Sequence, residues 1–170
     1  DHVGLLLRFG KLHGATRADR VKESGLLLAL PYPMDRVVQV PAKQEGEVVI
    51  KEVWKSIEQT SSRNSIDPIL EGYCLTGDQN IIQSKIVVKY RITDPIAFQL
   101  RTAEPESILQ DTVLASLTQT VASWSYDEVR WQQRAQEQTP ENTESLARTV
   151  WNRAQKRLDQ LDCGMTISAL

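Results

Sequence analysis

Histidine and cysteine are scarce in this chain of 170 residues: His2, His13, Cys74 and Cys163 are the full set. The two cysteines are far apart in sequence, so neither the paired spacing of a zinc ribbon nor a CxxC redox pair can be formed. No HExxH, no GxSxG and no Gly-rich phosphate loop with its lysine occurs, which removes the usual signatures of metalloproteases, serine hydrolases and P-loop nucleotidases. Positive charge is not in excess either. Twenty Lys and Arg face 22 Asp and Glu, so no global field draws in a polyanion, and nucleic acid is not expected as a partner. The longest wholly apolar runs, residues 5–7 and 26–30, fall far below the roughly 20 residues of a bilayer-crossing helix. Internal repeats and low-complexity stretches are also missing.

What is present is an ordinary globular composition, 41% hydrophobic and 25% charged. A chain of this length buries roughly 70% of its unfolded surface and needs no disulfide staple. It opens without Met and stops on Ala169-Leu170 inside a strand-like pattern, which reads as a piece of a longer protein.

Residues 1–10 read as a short buried strand closed by Gly10. After a polar connection, Leu26 to Leu30 reads as a second apolar segment stopped by Pro31 and Pro33, which cannot donate to a ladder. Val37, Gln39 and Val40 read as a strand whose hairpin partner is Glu47 to Trp54, with Gly46 between them. Glu58 to Asp67 has no apolar period and reads as a solvated loop. Next comes a hairpin, with Tyr73 to Thr76 on one side, a Gly77-Asp78-Gln79-Asn80 turn, and a long strand from Ile81 to Thr93 that alternates in period two.

Asp94-Pro95 then opens a short helix, with Asp as N-cap and Pro at the first helical position. Glu104-Pro105 opens a longer one that puts Leu109, Val113, Leu114, Leu117, Val121 and Trp124 on one stripe. Ser125-Tyr126-Asp127-Glu128 resembles a capping box one register late, starting a short helix to about Gln136. Thr139-Pro140 signals a last helix. It has Glu141 and Glu144 early, and Leu146, Ala147, Val150, Trp151, Ala154, Leu158 and Leu161 on one face, with Gly164 as its stop. Met165 to Leu170 alternates as a returning strand. The order predicts an α+β fold: an antiparallel sheet of four to six strands in the first half, a helical block packed on it, and a short C-terminal returning strand.

Catalytic chemistry finds little support. Cys74 lies in a hairpin strand, where free cysteine behaves as a small hydrophobe. Asp78 reads as a turn residue, since a calcium loop needs five or more oxygen donors at set spacing. Glu104, Glu106, Asp111, Asp127 and Glu128 are helix-start acids. We therefore expect no catalytic residue, no metal ligand and no cofactor. The aromatic residues are spread through the elements rather than interleaved with a basic stripe. Trp131 is the exception: in Arg130-Trp131-Gln132-Gln133-Arg134 it sits on a short polar helix, and Trp131, Arg130 and Arg134 are the candidate protein or membrane contact.

Two blocks carry a family resemblance. Val3 to Lys11 with Gly25 to Asp35 resembles the opening of the SPFH, or band-seven, domain shared by stomatins, prohibitins, flotillins and HflK/HflC proteins. Leu75-Thr76-Gly77-Asp78-Gln79-Asn80-Ile81-Ile82, followed by Val88 to Pro95, looks like that family's most recognisable block, and Ser125 to Val129 is similar to its inter-helix segment. Ser24 and Leu27 depart from the common pattern. Leu30-Pro31-Tyr32-Pro33 and the long loop before Leu75 are most similar to the HflK branch. The resemblance covers residues 1–170 as a single SPFH domain and implies an upstream transmembrane anchor and a downstream coiled coil. It also implies a non-enzymatic, membrane-associated scaffold assembled as a homo- or hetero-oligomer of SPFH proteins, in contact with membrane lipid and modulating a membrane AAA protease. In HflK-like proteins the domain lies on the non-cytoplasmic side of the bacterial inner membrane, where a Cys74–Cys163 bond is compatible with the environment; the sequence leaves that bond open. Two other readings stay beside this one: a stomatin-like lipid-microdomain organiser or channel regulator, and a hydrolase or ligand-binding α+β domain.

Overall fold

The computed structural model describes residues 2–23, 25, 27–42, 44–54, 72–131 and 145–170. Its strands are β1 (Val3–Arg8), β2 (Lys11–Leu12), β3 (Val21–Lys22), β4 (Asp35–Val40), β5 (Glu45–Ile50), β6 (Cys74–Leu75), β7 (Ile81–Ile82), β8 (Ile86–Ile92) and β9 (Met165–Ala169). Its helices are α1 (Arg17–Arg20), α2 (Pro95–Leu100), α3 (Pro105–Ala122), α4 over residues 126–131 of the described chain, and α5 (Leu146–Leu161). The architecture is α+β with antiparallel sheets and a returning C-terminal strand, as the element order implied.

The strands divide into two main sheets. In the first, β1 is central: β4 runs along one edge from Val3↔Val40 to Arg8↔Asp35, while β2 and β3 share the other edge. In the second, the order is β5-β8-β9. β8 alternates strictly between buried and exposed, burying Ile86, Val88, Tyr90 and Ile92 against the helices, as its period of two requires. Opposite Tyr90 stands Gly46, where a Cβ would lie 2.3 Å from the phenol ring. The ring therefore occupies the space a side chain would take, and its hydroxyl donates to Glu106 at 2.8 Å.

Three strand expectations are corrected. β4 and β5 are not a hairpin: β4 pairs with β1 and β5 with β8, because each finds its apolar complement in a strand distant in sequence. The stretch from Ile81 to Thr93 is two strands. β7 pairs with β6, then the chain breaks ladder at residues 83–85, where Ser84 N–H donates to Val53 O, and β8 continues in another sheet. Residues 27–30 are irregular rather than a strand, with Leu28 85% and Leu30 46% exposed.

The caps follow the sequence more closely. Asp94 accepts from Ile96 N–H with Pro95 in the first turn of α2. Ser125 and Glu128 form a capping box in normal register, rather than one residue late: Glu128 accepts from Ser125 N–H and Ser125 Oγ from Glu128 N–H. Ser145 caps α5 by accepting from Arg148 N–H. At its far end Asp162 takes the left-handed conformation (φ 49°), so the stop begins two residues before Gly164, and Leu161 is 57% exposed rather than on the buried face. Thr139-Pro140, Glu141, Glu144, residues 132–136 of the expected short helix and the expected loop from Glu58 to Asp67 lie outside the described residues.

α3 buries more than one stripe. Besides Leu109, Val113, Leu117 and Val121, it buries Thr112, Ser116 and Thr120. Ser116 and Thr120 hydroxyls donate back to the carbonyls four residues earlier, which satisfies them without water. Arg153 and Arg157 of α5 donate to these hydroxyls across the helix pair. Both cysteines are buried and free.

Candidate functional site

The sequence directs attention first to α4. The Thr76–Asn80 turn holds its start: Gly77 N–H donates to Trp124 O at 2.8 Å, and both Asp78 carboxylate oxygens accept from Tyr126 N–H at 3.1 Å. Thr76 Oγ donates to Asp78 and accepts from Asn80 N–H, closing the turn on itself. These donors hold the Asp78 carboxyl below the usual carboxylate range, the Thr76 hydroxyl most of all. The most recognisable motif of the chain is thus a clasp between a hairpin and the α3–α4 junction. Gly77 leaves room for this approach, since a Cβ there would stand 3.0 Å from Ala122 O, a tight contact. Beyond the clasp Val129 is buried, while Arg130 is exposed and Trp131 is 70% exposed. Arg134 lies outside the described residues.

A second surface was not legible as a site. Arg8 and Lys11 pair across a two-residue turn, Phe9-Gly10, with φ of 48° and 77°. Positive φ at both central residues is the hairpin turn that matches strand twist, and it favours Asn-Gly. Phenylalanine in that conformation costs on the order of 1 kcal/mol. Phe9 recovers little of this by burial, because it is 73% exposed. The neighbouring loop presents Tyr32, 85% exposed, between Pro31 and Pro33.

Asp35 builds this tip. Its carboxylate accepts the Arg8 fork at 2.8 and 3.0 Å and Leu30 N–H at 2.8 Å, while Phe9 N–H donates to Met34 O at 2.8 Å. The Arg8 guanidinium, with help from Leu30 N–H, brings the Asp35 carboxyl down to about 2. A charge-assisted, bidentate contact thus ties β1 to the loop that carries Leu30 and Tyr32. The result is an exposed apolar tip carrying Phe9, Leu30 and Tyr32 at one end of the first sheet, with exposed Lys11 and Arg36 on the strands that meet there.

Cys74 has Thr118 Oγ at 3.8 Å as its neighbour, and burial pushes its thiol up, away from the reactive range. Cys163 donates to Leu158 O. Among the described residues no group of three or more His, Cys, Asp or Glu is placed to hold a metal ion, and no helix is long and apolar enough to cross a membrane.

The fold is α+β, two main antiparallel sheets with a helical block and a returning strand, and it leaves Phe9, Tyr32 and Trp131 exposed. The chain belongs to the SPFH domain / Band 7 family, whose model matches residues 1–169. It is similar to Protein HflK of Treponema pallidum, 36% identical over 111 residues, which covers 64% of this chain and 31% of that protein. It is also similar to Protein HflK of Borreliella burgdorferi, 27% identical over 117 residues, covering 69% and 34%. The chain therefore spans about a third of the length of the curated relatives it matches.

Proposed function

We propose that this chain is the SPFH domain of a longer, membrane-anchored scaffold with a coiled coil beyond it, and that the whole protein oligomerises with SPFH partners and modulates a membrane AAA protease. The observation that carries the membrane part is Phe9. An aromatic residue is held exposed in a backbone conformation that disfavours it, on a turn fixed to the Tyr32 loop. Local rules are broken in this way where another constraint acts. The constraint we assign is a bilayer surface: aromatic side chains settle at the headgroup level, and Lys11 and Arg36 complement anionic headgroups.

Family membership and the two HflK relatives support the scaffold reading and a membrane-anchored bacterial protein. The finer assignment, to the non-cytoplasmic side of the inner membrane, is what the resemblance to the HflK branch implies. Trp131 and Arg130 of α4 are assigned to a protein or membrane contact, since Val129 faces the core and leaves Trp131 outward; Arg134, the third residue of that candidate contact, is outside the described residues. Cross-linking the full-length protein in native membranes, followed by sizing and mass spectrometry, tests this. The expected result is a large assembly containing SPFH chains and a membrane AAA protease. A monomer recovered without protease would overturn it.

A further inference from the structure

β8 outruns one of its two neighbours. β5 follows one edge from Ile50↔Ile86 to Glu45↔Arg91, while β9 follows the other only from Met165↔Ile92 to Ala169↔Lys89. The backbone N–H and C=O groups of successive strand residues point to alternate edges. Thr93 N–H donates to Gly164 O, so Arg91, Lys89 and Val87 turn these groups toward the β9 side, whereas Ser84 N–H, of the other parity, donates to Val53 O on the β5 side. The ladder therefore stops one rung short: among the described residues nothing pairs with the N–H and C=O of Val87. Past β9 the sheet is closed, because Trp151 Nε1 donates to Ile167 O at 3.1 Å and Gln155 Oε1 accepts from Ile167 N–H at 2.9 Å.

A cavity of about 180 Å³ opens at the missing rung, with Ile86, Leu117, Leu146, Ala147, Val150 and Leu170 on its walls. An apolar cavity of roughly 150 Å³ takes a group the size of benzene, so one large aliphatic or aromatic side chain fits here. The register says which side chain arrives. Tyr90 stands opposite buried Ile167, and the bulge puts the extra residue, Ser168, on β9, so that exposed Ala169 stands opposite Lys89. Leu170, half-buried against the core, then comes opposite Val88. By the period of two, the next residue would stand opposite Val87 on the exposed face, and the one after it opposite Ile86 on the buried face, at the cavity.

We propose that the segment following Leu170 in the longer protein continues β9 along β8, closes the ladder at Val87 and seats the side chain of its second residue, an apolar one, in the cavity. This rests on the reading that the chain is part of a longer protein, since it spans about a third of the length of its HflK relatives. The occupant is the chain itself rather than a partner's strand because Leu170 already stands beside the cavity in register. A short linked segment acts at a millimolar effective concentration, whereas a separate strand bears the full cost of association. The consequence is a fixed exit. The downstream coiled coil leaves from the Ile86 end of the second sheet, beside Leu146 at the start of α5, held by a ladder rung and a buried side chain instead of a free tether.

Hydrogen exchange in the full-length protein, read residue by residue, tests this. The Val87 amide should be protected together with those of Arg91 and Thr93. Replacing the second residue after Leu170 by Asp should lower Val87 protection by about tenfold or more, and replacing it by Ala should lower it by a smaller factor. Arg91 and Thr93 should keep their protection, which separates loss of the rung from unfolding. An unprotected Val87 amide, protection that survives both substitutions, or a charged residue native to that second position would overturn the inference. So would protection that is lost on dilution, which would place another copy's strand on β8. Sizing the same sample keeps the two readings apart: a large assembly with Val87 unprotected refutes this inference alone, and a monomer with Val87 protected refutes only the proposed function.

Discussion

Replacing Phe9 by Asn should make the protein more stable, and this is the sharpest consequence of the turn geometry. Phe9 sits at φ 48° and is 73% exposed, so the native residue carries a left-handed backbone cost with little burial to offset it. The left-handed region costs an ordinary L-residue about 1–2 kcal/mol, and Asn-Gly is the sequence such a turn favours. Some packing of the ring against its neighbours is lost, which leaves a net gain of about 1 kcal/mol. For a chain of this size that raises the melting temperature by about 2–4 °C. Thermal unfolding followed by circular dichroism, with Phe9→Ala as the control that removes the ring but keeps the strain, gives the comparison. Equal melting temperatures for the Asn and Ala variants would refute the claim of strain at this turn.

Other consequences are as direct. Gly46→Val should destabilise by about 2 kcal/mol or more, since its side chain enters the volume of the buried Tyr90 ring, and denaturant titration reads the loss. Gln155→Leu removes the acceptor for Ile167 N–H and should cost about 1–3 kcal/mol in the same assay. The Asp35 carboxyl is lowered from 3.8 to about 2, so its stabilisation is complete above pH 3.8 and is lost as pH falls through about 2. Protection of the Leu30 amide, taken relative to its intrinsic exchange rate, should fall across that window in the wild type and show no such step in Asp35→Asn.

Local signals in the sequence were reliable where a few neighbouring residues decide the outcome. The Asp94-Pro95 cap, the Ser125–Glu128 box, the alternation through Ile86 to Ile92 and the returning strand at Met165 are all of this kind. Strand partners were not, because β5 could satisfy its alternation against β4 or β8 equally well, and the tertiary complement chose β8. The buried Thr112, Ser116 and Thr120 were hidden for a different reason. A one-stripe reading of α3 assigns hydroxyl residues to solvent, whereas their back-bonding to the helix and the arginines of α5 let them face a second helix. At the tip, Phe-Gly is not a recognised hairpin signal. The apolar segment before Pro31 gave no local sign that Leu30 is held at the surface by Asp35, which accepts its N–H. Trp131, in contrast, was legible as an exposed aromatic on a polar helix.

The central claim is that the tip carrying Phe9 and Tyr32 meets a lipid surface, and vesicle co-sedimentation tests it most directly. Wild-type protein should pellet with vesicles containing anionic lipid and do so less with zwitterionic ones, while Phe9→Ser with Tyr32→Ser should stay in the supernatant with its circular dichroism unchanged. Equal binding of the wild type and the double variant would contradict the account.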